Sequence, residues 1–126
     1  MKNWKSIIGL AVVLLFTLSL DVQAFSWYDH KELKVTIETE DIIYEWEYEN
    51  PDSFEYEEGN TIVRAEKAKE SFDSVLTFID LNKSIIDDDT IFNLEESGYD
   101  NIKNVVVKRV DRNEYKQSWI WTRDVE

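Results

Sequence analysis

The side chains that could do chemistry in this chain are almost all carboxylates. Twenty-seven Asp and Glu stand beside one His and no Cys. Without a thiol there is no thiolate zinc site, no thiol nucleophile and no disulfide scaffold. The one imidazole, His30, precedes the first regular pattern and is expected to be a solvated side chain rather than a base. No serine lies in G-x-S-x-G, and no H-E-x-x-H, G-x-x-x-x-G-K or G-x-G-x-x-G occurs. Asp80-x-Asn82-x-Ser84 matches the opening ligands of a calcium loop, but Ile85 stands where Gly is needed and Ile91 where the closing Glu is needed. Carboxylate pairs of the glycosidase kind have no motif here, and a domain this small has little room for the cleft they require. The sequence therefore points to no catalytic residue, no metal site and no cofactor.

Two other groups are organised enough to bind something. Glu45, Glu47, Glu49, Glu55 and Glu57 alternate with Tyr44, Trp46, Tyr48, Phe54 and Tyr56. The glutamates form one acidic edge that would suit a basic partner. Trp46, Trp119 and Trp121 are the rings best suited to stack on a sugar of the cell wall. The plainer reading of the aromatics is a core, since large rings compensate for a small domain.

The elements that carry these residues follow from periodicity. Leu33, Val35 and Ile37 alternate with polar residues, which predicts a half-buried strand. Residues 44–48 and 54–57 predict two more, divided by the turn signal Asn50-Pro51-Asp52-Ser53. The period then changes. Ile62, Ala65, Ala68, Phe72, Val75, Leu76 and Ile79 make one apolar stripe, predicting a helix over about Thr61–Asp80. Asp87-Asp88-Asp89-Thr90 before an apolar pair and Gly98 predict a short second helix, because anions and a capping side chain suit a helix start and Gly its end. Residues 102–110 and 115–122 predict a closing strand pair. The expected fold is α+β: an antiparallel sheet of about five strands, ordered β-β-β-α-α-β-β, with one long helix packed on one face.

Residues 1–24 are set apart from this domain. Lys2 and Lys5 precede the uncharged run Ser6–Leu20, and Val22-Gln23-Ala24 ends it. That is the form of a secretory signal peptide. The expected domain is 25–126, outside the cytoplasm as a secreted or cell-envelope protein. Membrane contact is expected only through an uncleaved leader. The net charge of -13 excludes ordinary nucleic-acid binding, which needs clustered cations. Charge is also polarised: residues 25–58 carry 12 acids and 2 bases, and residues 101–126 carry 4 acids and 6 bases. If the two hairpins lie side by side, Lys103, Lys108, Arg109 and Lys116 are expected to face Glu38, Glu45 and Glu47.

Taken together, the strand pair LKVTIET and IIYEWEYEN, the acidic third strand, the helix RAEKAKESFDSVLTFI, the short acidic helix and the hairpin opened by Tyr99-Asp100-Asn101-Ile102 resemble the YusW-like family of small exported bacterial proteins. The likeness spans nearly all of residues 33–123. It implies an exported α+β domain of uncharacterised function and brings no catalytic residue with it. The chain departs from that pattern in having no lipid-attachment Cys and no Asp-Gly in the turn at Asp111–Glu114.

The sequence thus favours an exported, non-enzymatic interaction module with a basic protein or a cell-wall component as partner. The alternatives are a carbohydrate binder using exposed aromatics, or an inhibitor of an extracellular enzyme presenting a loop around Pro51.

Overall fold

The computed structural model describes residues 25–83 and 85–124. The expected signal peptide, and Ser84 of the calcium-like triplet, lie outside the described residues. Six strands form one antiparallel sheet: β1 (His30–Thr39), β2 (Ile43–Glu49), β3 (Ser53–Glu58), β4 (Thr61–Arg64), β5 (Ile102–Asp111) and β6 (Lys116–Thr122). Their order across the sheet is β4-β3-β2-β1-β5-β6. Two helices, α1 (Ala65–Leu76) and α2 (Asp88–Glu96), lie between β4 and β5 in the chain.

The α+β architecture stands as expected, but the one long helix does not. Thr61–Arg64 continues the meander as a fourth strand. Gly59, with φ of 60°, permits the two-residue turn after β3, and β-branched Ile62 and Val63 suit extended backbone better than a first helical turn. Helix α1 then runs for only 12 residues and buries Ala68, Phe72 and Val75. Beyond Thr77 the chain leaves the helix, and Ile79 reaches the core from the connection. Helix α2 forms where its caps predict it. The Asp87 carboxylate accepts from the Thr90 amide at 2.9 Å, and Gly98 takes φ of 123° just past the end.

Both helices contribute to one core with one face of the sheet. A single row crosses that face from Val63 through Tyr56, Trp46, Val35 and Val107 to Trp119. Trp46 is fully buried, stacks on Tyr56 at 5.1 Å, and donates its indole N–H to Ser71 Oγ at 2.9 Å, which ties β2 to α1. Trp119 donates to the Lys83 carbonyl, and Trp121 to Asp88 at the start of α2. Trp46 and Trp119 thus meet the rule that a buried indole N–H needs an acceptor.

The segment before β1 closes the core rather than leading into it. A short 3-10 turn, Trp27–Asp29, sets Trp27 among Tyr48, Phe54 and Phe72 at 4.8–4.9 Å between ring centres. This fold-back also corrects the expectation of a solvated His30. The imidazole is 8% exposed, stacks on Phe25 at 4.7 Å, and its Nδ1 lies 2.9 Å from the Ser26 carbonyl.

The position of the C-terminal hairpin corrects the expected charge pairing. β5 pairs with β1, so β1 separates it from β2 and β3. Lys108 faces Lys34, not a glutamate. Arg109 faces Leu33 on the helix side, holds Gln117 and lies over Trp119 at 5.6 Å. Lys116 pairs with Val110 at the far side of the sheet, and Lys103 sits at the irregular end of the β1–β5 ladder.

Two measurements check this packing. Ala65 holds φ of 61°, a left-handed conformation that an L side chain occupies at a cost. Ala65→Gly should therefore raise thermal stability, by about 0.5–1 kcal/mol once the added chain entropy is deducted. Burial holds the His30 pKa below its ordinary 6.5, with the Arg109 charge adding to the effect and the Ser26 carbonyl opposing it. The unfolded chain then binds the proton more readily. The stability that neutral His30 contributes is present above pH 6.5 and falls away below it. Urea melts from pH 7.5 to 5 should show that fall, and His30→Phe, which keeps the stack on Phe25, should flatten it.

Candidate functional site

The opposite face of the sheet carries no helix among the described residues. Strict alternation places there the residues between the buried rings. In β2 and β3 these are glutamates, and the register sets them directly opposite each other: Glu45 against Glu57, and Glu47 against Glu55. Glu49 follows on the same face against Ser53. Opposed residues on one face lie about 5 Å apart at Cβ, and alternate residues along a strand about 6.7 Å. Four carboxylates thus occupy a patch about 5 by 7 Å.

The two rows of this patch are compensated differently. The row of Glu47 and Glu55 is bounded by cations: Lys34 Nζ reaches Glu47 at 3.1 Å, and Arg64 Nε reaches Glu55 at 3.6 Å. The row of Glu45 and Glu57 is bounded by Thr36 and Ile62, which offer no charge. A hydrogen bond shared with Glu55 holds the Glu57 pKa above its ordinary 4.5, with desolvation and the charges of Glu45, Glu55 and Glu47 adding to it. The Lys34 ammonium is held above its ordinary value by its hydrogen bond to Glu47. A depression of about 230 Å³ opens beside the patch between Lys34, Glu47, Glu49 and Lys108.

All five glutamates singled out from the sequence therefore share one face. The three tryptophans do not. Trp46 and Trp119 are 0% and 8% exposed on the other side of the sheet, so neither presents a ring to a ligand. Trp121 is half-buried beside an open cleft of about 490 Å³ between α2 and the end of β6, but Arg123 lies over its ring at 5.2 Å. The loop around Pro51 is the tight connection between β2 and β3. It is pinned by the Asn50 amide to the Lys31 carbonyl at 2.9 Å and by the Tyr48 hydroxyl to the Pro51 carbonyl. Among the described residues, no three His, Asp or Glu side chains converge on a metal-sized site.

Sequence reasoning missed two features. Trp27 lies before the first periodic segment, in the run Phe25–Tyr28, the most aromatic stretch outside the strands. Its ring borders a shelf of about 380 Å³ with Pro51, Phe54 and Lys69. The cations that bound the carboxylate patch, Lys34 and Arg64, were also not singled out. Lys34 occupies the polar phase of the first predicted strand, so its face was readable but its neighbour was not.

Compared with known proteins, the chain matches no family model, no curated protein and no solved structure.

The raised Glu57 pKa fixes the sign of a further test. Ionised Glu57 opposes folding, and that penalty lapses as pH falls through its folded pKa toward 4.5. Glu57→Gln, which keeps a donor for Glu55, should raise the melting temperature at pH 7. The gain should shrink as pH approaches 4.5; a gain constant with pH would show that charge is not its source.

Proposed function

We propose that the chain is an exported, non-enzymatic interaction module that holds a basic protein segment on the uncovered face of β2 and β3. The observation that carries this reading is the carboxylate patch itself. Four opposed glutamates are crowded on an open face, Lys34 and Arg64 pair with Glu47 and Glu55, and among the described residues no ion pair is made to Glu45 or Glu57. A guanidinium or ammonium group set among Glu45, Glu55 and Glu57 would offset the mutual repulsion of their charges, which adds to the hydrogen bond with Glu55 and to desolvation in raising the Glu57 pKa. The free protein is thus electrostatically unsatisfied in a way that a cationic partner relieves. The continuous ladder of carboxylates suits an extended or helical basic segment better than a small molecule.

The signal-like leader and the likeness to the YusW-like family support an extracytoplasmic setting for this module. The absence of a motif for nucleophile, base or metal supports binding rather than catalysis. The burial of Trp46 and Trp119 weighs against sugar stacking as the main mode.

An arginine-rich peptide carrying a fluorophore provides the test. It should bind the protein, and binding should weaken steeply as salt rises from about 0.1 to about 1 M, where the screening length falls from about 10 to about 3 Å. Glu45→Gln with Glu57→Gln should weaken binding about tenfold, roughly 1.4 kcal/mol. Glu66→Gln with Glu70→Gln removes the same charge from α1 and should change it little. Equal losses in the two double variants, or binding insensitive to salt, would refute the reading.

A further inference from the structure

The two edges of the sheet are not alike. β4 is four residues long and runs directly into α1, so one edge is short and ends in a helix. β6 is seven residues long and contains no Pro, and its pairing with β5 is unbroken from Lys116 to Thr122. A long open strand without bulge or proline presents its backbone for pairing.

The phase of that ladder shows which groups are presented. The Arg123 amide donates to the Lys103 carbonyl at 2.9 Å, and the Asp111 amide to the Tyr115 carbonyl at 3.1 Å. In an antiparallel pair such hydrogen-bonded positions alternate with non-bonded ones. Odd-numbered residues of β6 therefore turn their backbone groups to β5. Lys116, Ser118, Ile120 and Thr122 turn theirs to the open edge. No side chain or loop among the described residues is hydrogen-bonded to those groups. Ile120, in the middle, is 68% exposed.

We infer that two copies of this chain join edge to edge through β6, with the twofold axis at Ile120. In that register the outward-turned residues meet only one another, as the hydrogen-bond phase demands. Ile120 lies against Ile120 of the second copy, Ser118 against Thr122 of the second copy, and Lys116 against Asp124 of the second copy. The segment is thus complementary to its own reverse: apolar at the centre, hydroxyl against hydroxyl on either side, and opposite charges at the ends. Such pairs are the stabilising unit of a sheet. Two open clefts of about 490 and 350 Å³ lie along this edge, lined by Trp121 and Phe92 and by Trp119 and Leu81, which leaves space on the helix side for an added strand.

The charge distribution selects this edge over the other. Joined through β6, the β3 strands of the two copies stand nine strand spacings apart, about 43 Å. The screening length at physiological salt is about 8 Å, so the acidic patches do not repel across the dimer. Joined through β4, they would stand three spacings apart, about 14 Å. The β6 edge also belongs to residues 101–126, which carry more bases than acids, whereas residues 25–58 carry far more acids than bases. The twofold axis runs perpendicular to the sheet, so both uncovered faces look the same way.

Sedimentation velocity over a concentration series tests this on the purified protein, with the N-terminus the producing cell leaves on it. The expected result is a reversible monomer–dimer equilibrium. Ile120→Pro removes an outward N–H while sparing the bonds to β5, and should leave a monomer with an unchanged circular-dichroism spectrum. Lys116→Asp and Asp124→Lys should each weaken the dimer about tenfold, and the two together should restore it. A monomer at every soluble concentration overturns the proposal. So does a dimer that persists in folded Ile120→Pro, or a double exchange no better than the single ones.

Discussion

The burial of Trp46 and the crowding of the carboxylates are two results of one register. β2 and β3 alternate ring and glutamate residue by residue, so the pairing that sets Trp46 against Tyr56 also sets Glu45 against Glu57 and Glu47 against Glu55. A slip of one residue would turn every ring to water and every carboxylate to the core. Full burial of a ring the size of Trp46 is worth about 4–6 kcal/mol at 25 cal/mol per Å². Repulsion among solvated glutamates is far weaker, because water screens it. The rings therefore decide the register, and the acidic face is its consequence.

That dependence explains how little helix the domain needs. Two helices of 12 and 9 residues cover a six-stranded sheet because the sheet's own side chains fill much of the layer between them. Trp46, Trp119 and Trp121 each reach across to Ser71, Lys83 and Asp88, so α1, its connection to α2, and α2 are each tied to a ring. Trp27 fills the remaining corner beside Phe54 and Phe72. The other face is polar or charged along most of β1, β2, β3 and β6, with Ile62 of β4 and Val106 and Val110 of β5 as apolar exceptions.

Periodicity alone revealed five of the six strands, and cap chemistry revealed α2, because alternation and capping are local properties. The division of the expected long helix was hidden for the same reason. Ile62 and Ala65 fit a helical stripe by spacing, yet Val63, not Ile62, joins the core, and Ala65 is exposed at a left-handed junction. Strand order was not legible. Lys108 and Lys116 have the right charge to neutralise the first hairpin, and only the insertion of β1 between the hairpins keeps them apart. Of the candidate site, the five glutamates could be read from the sequence because they share a phase. The burial of Trp46 and Trp119 depends on which face the helices cover, which no local pattern states.

A cationic segment docked on the carboxylate patch would have to relieve the crowding of its glutamates. The most direct measurement is the titration of the glutamate side-chain carboxyls by NMR, without and with oligolysine. Glu57 is expected to titrate above the ordinary 4.5 in the free protein and to move back toward it when the peptide is bound. A Glu57 that titrates normally when free, or whose midpoint is indifferent to the peptide while residues of α1 and α2 respond, would rule out a cationic partner on this face.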